Sequence, residues 1–157
     1  MIKPPSVSTL PGQGEGKRGP DGYLGYLLRQ AANAYRHRVE AVLRDIQLTQ
    51  PQFAALTMLD TYPHHSSADL ARLALLTPQT MSTIIGNLEK AGLINRKPHA
   101  VHGRKQQIAL TSPGRSLLAE AKKRVYALEA ELVDGYSQEE DAIVRRWLVA
   151  VATGEPG

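Results

Sequence analysis

The sequence predicts a mainly α-helical protein with one small β-hairpin (α+β). Three observations carry that reading: apolar residues recur at three- and four-residue spacings in successive segments, one pair of short alternating stretches lies between residues 93 and 110, and Ser, Thr, Pro and Gly punctuate the segment ends. The 157 residues suit about one domain with one core.

Residues 1–22 are dense in Pro, Gly and Ser and have few large apolar side chains, so they read as a mobile tail. From Tyr23, Leu24, Leu27, Leu28, Ala31, Ala34, Tyr35, Val39, Val42 and Ile46 form one stripe on a long helix. Thr49 is a cap for a second helix carrying Phe53, Leu56, Met58 and Leu59, which should stop before Pro63. A third, short helix starts near Ser66–Ser67 and runs through Asp69, Leu70, Ala71 and Leu73 to about Leu75. A fourth follows at once: Thr77 caps it, Pro78 suits its first turn, Met81, Ile84, Ile85 and Leu88 face inward, and Gly92 ends it. Two helices joined this tightly read as helix-turn-helix.

LINRKP and RKQQIAL, separated by HAVHG, read as a hairpin, and its position after the fourth helix makes it a wing. Thr111–Ser112–Pro113 then opens a long helix with Leu117, Leu118, Ala121, Val125, Leu128, Leu132 and Val133, stopped at Gly135. Ser137 with Glu140 forms a capping box for a last helix carrying Ile143, Val144, Trp147, Leu148 and Val151. The expected architecture is therefore a winged helix-turn-helix with long N- and C-terminal dimerisation helices. Its divisions are a disordered tail (1–22), an N-terminal dimerisation helix (23–48), the winged DNA-binding lobe (49–111) and C-terminal dimerisation helices (112–153). The terminal helices carry more apolar surface than a monomeric three-helix unit covers, so a homodimer is expected, the alternative being that these helices simply pack on one another.

Composition narrows the chemistry. The chain contains no cysteine, which removes disulfides, thiolate metal sites, cysteine nucleophiles and thiol redox switches together. No apolar run approaches the ~18 residues of a membrane span, and the first residues lack a signal peptide's apolar core, so no membrane partner and a cytoplasmic location are expected. The net charge is +4, and it is clustered: between Lys90 and Lys105 stand Lys90, Arg96, Lys97, Arg104 and Lys105 with no acid. A wing carrying Arg104 suits a minor groove, while Lys97 and Lys105 suit phosphates; Arg72 and Arg115 are further cations for that surface. The outward face of the fourth helix holds Gln79, Thr80, Ser82, Thr83, Gly86, Asn87 and Lys90, side-chain types that read base edges better than they attract phosphate. The bland reading is a solvated helix face beside a charged edge strand; the pairing of the two favours DNA. Gly86, where glycine costs about 1 kcal/mol against alanine, reads either as a close approach of a phosphate backbone or another helix, or as a neutral, tolerated glycine.

The segments LTQPQFAALTMLDTYP, ADLARLALLTPQTMSTIIGNLEKAGLINRKP and GRKQQIALTSPGRSLL resemble the winged-helix core of the MarR family of bacterial transcription regulators, a likeness covering roughly residues 23–150. The resemblance implies a homodimer on pseudo-palindromic promoter DNA in a bacterial or archaeal cytoplasm, with repression relieved by small aromatic or phenolic ligands. By position it places Gln79, Thr80, Ser82, Thr83 and Asn87 on the family's recognition helix and Arg104 on its wing arginine. This chain has His102 where many members have an acid opening the wing motif, and Thr83 and Asn87 where many have arginines. The family's effector position suggests Tyr35, Arg38, Met58, Tyr62 and Arg115, an aromatic wall with a cation suited to an aromatic carboxylate. Residue by residue, Tyr35 and Met58 also read as core and Arg38 as surface.

Other chemistries find less support. His37, His64, His65, His99 and His102 lack carboxylates at ligand spacing, so no metal and no cofactor are expected; His102 on the wing suits a charge that strengthens near phosphate at mildly acid pH. No nucleophile elbow, P-loop, dinucleotide turn or paired carboxylates stand in a strand–turn–helix context, which argues against an enzyme. The alternative to a regulator is a winged-helix protein-interaction module without specific DNA binding.

Overall fold

A computed structural model describes residues 10–63, 65–98 and 106–154, with the side chains of Lys97, Pro98 and Gln106 excluded. The helices are α1 (Leu24–Leu43), α2 (Gln50–Thr61), α3 (Ser67–Leu73), α4 (Pro78–Lys90), α5 (Ser112–Leu132) and α6 (Gln138–Thr153). The strands are β1 (Ile94–Pro98) and β2 (Gln106–Leu110). The winged order expected above is the order observed. Two compact units divide the chain, one up to Arg38 and one from Val39.

In the first unit, residues 10–22 lie within the segment expected as a tail, and they carry a 3-10 turn at Gly16–Arg18. Side-chain to backbone bonds brace it: the Arg18 guanidinium donates to the Pro11 carbonyl (2.9 Å) and the Lys17 ammonium to that of Asp21 (2.9 Å). The Gln30 amide of α1 donates to the Arg18 carbonyl (3.3 Å). Composition forecasts none of these pairings, because each depends on a turn bringing distant groups together.

The second unit holds the core. Leu43, Leu56, Leu70 and Met81 are fully enclosed, with Ile85, Leu88, Ile94, Leu110, Leu118, Ala121 and Val125 around them. Here α3 packs on α4, while α2 touches α3, α4, α5 and β2, so it is the hub that fixes α4 against the hairpin. The strands are antiparallel, from Ile94 opposite Leu110 to Pro98 opposite Gln106.

Local chemistry sets the helix ends. Thr49, Ser66 and Ser137 each form a reciprocal capping box, with Gln52, Asp69 and Glu140 respectively. The helix expected through Ile46 instead ends at Leu43, followed by a 3-10 turn with Gln47 left-handed (φ 54°). The Leu48 amide closing onto the Leu43 carbonyl (3.3 Å) supplies the stop. The third helix likewise ends at Leu73 rather than Leu75. Leu75 is left-handed (φ 56°), and the Leu76 amide donates back to Ala71 (2.8 Å) in a Schellman closure. Gly92 (φ 70°) ends α4 by the same closure, Leu93 donating to Leu88 (2.9 Å).

Leu73 at the end of α3 is exposed, and in α6 none of Ile143, Val144, Trp147, Leu148 and Val151 is buried. Residues on α6 thus present an apolar surface that this single chain leaves open.

Candidate nucleic-acid interface

The position of α4 follows from its two ends. The Thr77 hydroxyl accepts from the Thr80 amide (3.1 Å) and donates to the Thr80 hydroxyl (2.8 Å), while Pro78 occupies the first turn, where its missing N–H loses no bond. Met81, Ile84, Ile85 and Leu88 are buried, so the remaining face is turned out. Gln79, Thr80, Ser82, Thr83, Asn87 and Lys90 are all exposed. They differ in what they can offer. Thr83 spends its hydroxyl proton on the Gln79 carbonyl (3.1 Å), leaving an acceptor lone pair and a methyl group. Among the described residues, the Gln79, Ser82 and Asn87 side chains have no hydrogen-bond partner. Two primary amides on an exposed helix face, with both donors and acceptors unspent, are the groups that pair bidentately with adenine.

Gly86 lies on this face, and a Cβ built there meets nothing within 4 Å. Packing of another helix within the described chain therefore does not explain it.

The hairpin sits against α4 through β1. Its root is braced by Thr111, which donates its hydroxyl to the Gly92 carbonyl (2.7 Å) and its amide to the Leu93 carbonyl (3.0 Å). Ile94, Ile108 and Leu110 are buried and Arg96 is exposed. Lys97 lies on β1, and its side chain is outside the described residues, as are Arg104, Lys105 and the wing histidines His99 and His102. The Arg96 guanidinium forms an ion pair with the Glu89 carboxylate on α4, with Nε 3.1 Å from the nearer oxygen. That pair escapes sequence counting, because Glu89 stands one residue before the acid-free stretch and seven before its partner.

Arg72 is paired with Asp69 (3.0 Å), whose carboxyl is held below its ordinary range first by the Ser66 hydroxyl and backbone amide, and then by Arg72 and His65. His65 lies edge-on to Tyr62, with ring centroids 6.0 Å apart. His64 is outside the described residues. Among the described residues no group of three or more His, Asp or Glu is arranged to hold a metal.

The five residues suggested for an effector crevice divide between the units. Tyr35 (half-buried) and Arg38 (exposed) belong to the first. In the second, Met58 is half-buried, while Tyr62 and Arg115 are exposed. Arg115 lines a cleft of about 260 Å³ with Leu59, Asp60, Pro63 and β2 residues Gln107–Leu110. Asp60 is engaged by the Lys122 ammonium (2.6 Å). Arg115 has no ion pair among the described residues.

Elsewhere in the second unit, α5 is tied to the turn after α1. The Arg124 guanidinium donates to the Val42 carbonyl (3.2 Å), the Asp45 carboxylate and the Glu120 carboxylate (2.7 Å). These bonds raise the Arg124 pKa and hold the Asp45 carboxyl below its usual range.

Comparison with known proteins agrees with this geometry. The MarR family model matches residues 48–105, from the start of the second unit's α2 region into the wing. The HTH-type transcriptional repressor Rv2887 of Mycobacterium tuberculosis is 41% identical over 113 residues, covering 72% of this chain and 81% of the relative. Two solved structures of the M. tuberculosis MarR family protein Rv2887 superpose with a TM-score of 0.67. One is a complex with salicylic acid (36% identity, 84% of this chain, 98% of that chain). The other is a complex with DNA (35% identity, 83% and 98%). With the helix-turn-helix, the hairpin and this degree of identity in agreement, the chain belongs to the MarR family.

Proposed function

We propose that this protein is a DNA-binding transcriptional repressor that acts as a homodimer on pseudo-palindromic promoter sites and releases them on binding a small aromatic acid. The observation that carries the reading is the α4 face, exposed and rich in hydrogen-bonding side chains, on a helix that packs against β1 of a hairpin whose sequence clusters positive charge. Gln79, Thr80, Ser82, Thr83 and Asn87 read base edges in the major groove, while Lys90, Arg96, Lys97, Arg104 and Lys105 engage phosphates and the adjacent minor groove. The relative's name as a repressor and its solved complex with DNA support the same role. The protein binds and releases rather than catalyses.

Two copies joined through the terminal helices would hold the reading helices about one helical turn, or ~10 bp, apart. The open apolar residues of α6, among them Ile143, Trp147 and Leu148, supply surface for that joint. The cleft beside Arg115 suits an aromatic carboxylate, with the guanidinium pairing the acid and Leu59, Pro63 and Ile108 meeting the ring; the relative's salicylic acid complex supports this ligand class. The ligand acts only through different affinities for DNA-competent and incompetent arrangements.

A gel shift on a duplex spanning the region upstream of the protein's own gene, with unrelated duplex as competitor, tests the reading. Binding that survives the competitor is expected. Arg104→Ala should weaken binding broadly and flatten its salt dependence, whereas Gln79→Ala or Asn87→Ala should change the preferred sequence. A uniform loss across sequences from the Gln79 and Asn87 variants refutes their role as readers. Salicylate at saturation should lower affinity for the preferred duplex, and sedimentation at micromolar concentration should show dimers.

A further inference from the structure

Glu89 is an acid on the reading helix itself. Ser82, Gly86 and Glu89 stand at i, i+4 and i+7, so they share one stripe of α4, adjacent to the stripe of Thr83, Asn87 and Lys90. A carboxylate this close to a DNA-facing surface repels phosphate, so its presence needs an explanation other than affinity. Stability does not supply one. The Glu89 and Arg96 side chains are 40% and 35% exposed, and an ion pair that open to water contributes little to folding. What the pair does change is the character of Arg96: a cation held at 3.1 Å by a carboxylate is locally neutral towards a polyanion passing at random.

We propose that Glu89 is a specificity-determining residue of the DNA interface, holding Arg96 back from phosphates except where α4 is fully seated in its preferred site. The inference rests on the DNA-binding reading above and adds a regulator of selectivity to it. On unrelated DNA the docking is looser, phosphates come within reach of Arg96 without being held close enough to displace Glu89, and the guanidinium stays with the carboxylate. On the preferred site the seated helix brings a phosphate to Arg96, which exchanges one anionic partner for another. The carboxylate therefore lowers affinity for unrelated DNA more than it lowers affinity for the preferred site.

The test compares the unaltered protein with Glu89→Gln, Arg96→Gln and the double variant. Fluorescence anisotropy is read on the upstream-region duplex and on an unrelated duplex between 50 and 200 mM salt, with thermal melts as a control for folding. Glu89→Gln should melt close to the parent. Its salt dependence on the unrelated duplex should steepen by about 0.9, the slope of one further phosphate contact, which at 0.1 M salt corresponds to about eight-fold tighter binding. Affinity for the upstream duplex should rise by less, so the preference ratio falls several-fold. Most of this change should vanish when Arg96 is already Gln, which marks Glu89 as acting through Arg96. An unchanged slope, or an equal gain on both duplexes, overturns the proposal while leaving the regulator reading intact. An unaltered protein that shows no preference for the upstream duplex defeats the regulator reading itself, and the proposal with it.

Discussion

Replacing Gly86 by alanine separates folding from recognition, because the two effects have opposite signs. Inside a helix, glycine is destabilising by about 1 kcal/mol relative to alanine, since it loses more backbone entropy on folding. Ordinarily part of that gain is lost when the new methyl meets a neighbour, but a Cβ at Gly86 meets nothing within 4 Å. The full gain of about 1 kcal/mol is therefore expected, a rise of roughly 2–4 °C in Tm for a chain of this size. Position 86 lies between Ser82 and Glu89 on the outward face of α4, so under the proposed DNA-reading role of that face the methyl would occupy space left for DNA. Affinity for the upstream duplex should drop about ten-fold, equivalent to about 1.4 kcal/mol. Thermal melts and anisotropy titrations on the same preparation measure both. A variant that is stabilised but binds as before refutes close approach at this position, and a destabilised variant refutes the open space around it.

Four further outcomes follow from packing and charge. Gly114 sits under the hairpin root, where a Cβ would lie 1.9 Å from the Leu93 carbonyl oxygen and 2.9 Å from its carbon, so Gly114→Ala should destabilise by about 3 kcal/mol or more in urea titrations; a neutral result would show that Leu93 and α5 separate easily. Leu75→Gly should stabilise by about 0.5–1 kcal/mol, since the leucine is left-handed and 92% exposed, and glycine loses no burial there; a lower urea midpoint would count against strain at this turn. The Arg124 hydrogen bond to Asp45 depresses the carboxyl's folded pKa, so its stabilising contribution is present above the unfolded value of about 3.9 and is lost as pH falls through the lower folded value. Asp45→Asn should accordingly flatten the acid limb of a stability profile taken from pH 2 to 6, and a limb identical to the parent's would contradict the link. Thr77→Ala should cost about 1 kcal/mol through the lost cap of α4, read as a fall in the urea midpoint; no fall would mean the Thr80 amide finds another partner.

Much of the fold was legible because the signals are short-ranged. Thr49, Thr77, Thr111 and Ser137 were readable as caps from their place at the head of an apolar-periodic run, Thr77 and Thr111 helped by the prolines that follow and Ser137 by Glu140, and the buried set Met81, Ile84, Ile85 and Leu88 from helical spacing alone. The polar face of α4 then followed by elimination. The misplaced ends of the first and third helices have one cause: Gln47 and Leu75 occupy left-handed positions that glycine usually signals, as Gly92 does for α4. Leu75 also extended the apolar pattern, so periodicity carried the third helix two residues too far.

The sequence alone determined where helices begin, which faces they hide, the order that makes a wing, and the clustering of positive charge, since each depends on residues near one another along the chain. Only the tertiary structure decided which charges meet. Arg124 reaches Asp45 and Val42 across the fold, Lys122 reaches Asp60, Gly114 lies against the Leu93 carbonyl, and Glu89 holds Arg96. These pairings depend on how α2 sets α4, α5 and the hairpin together, and a side chain's partner across such a junction follows from distances that linear spacing does not encode.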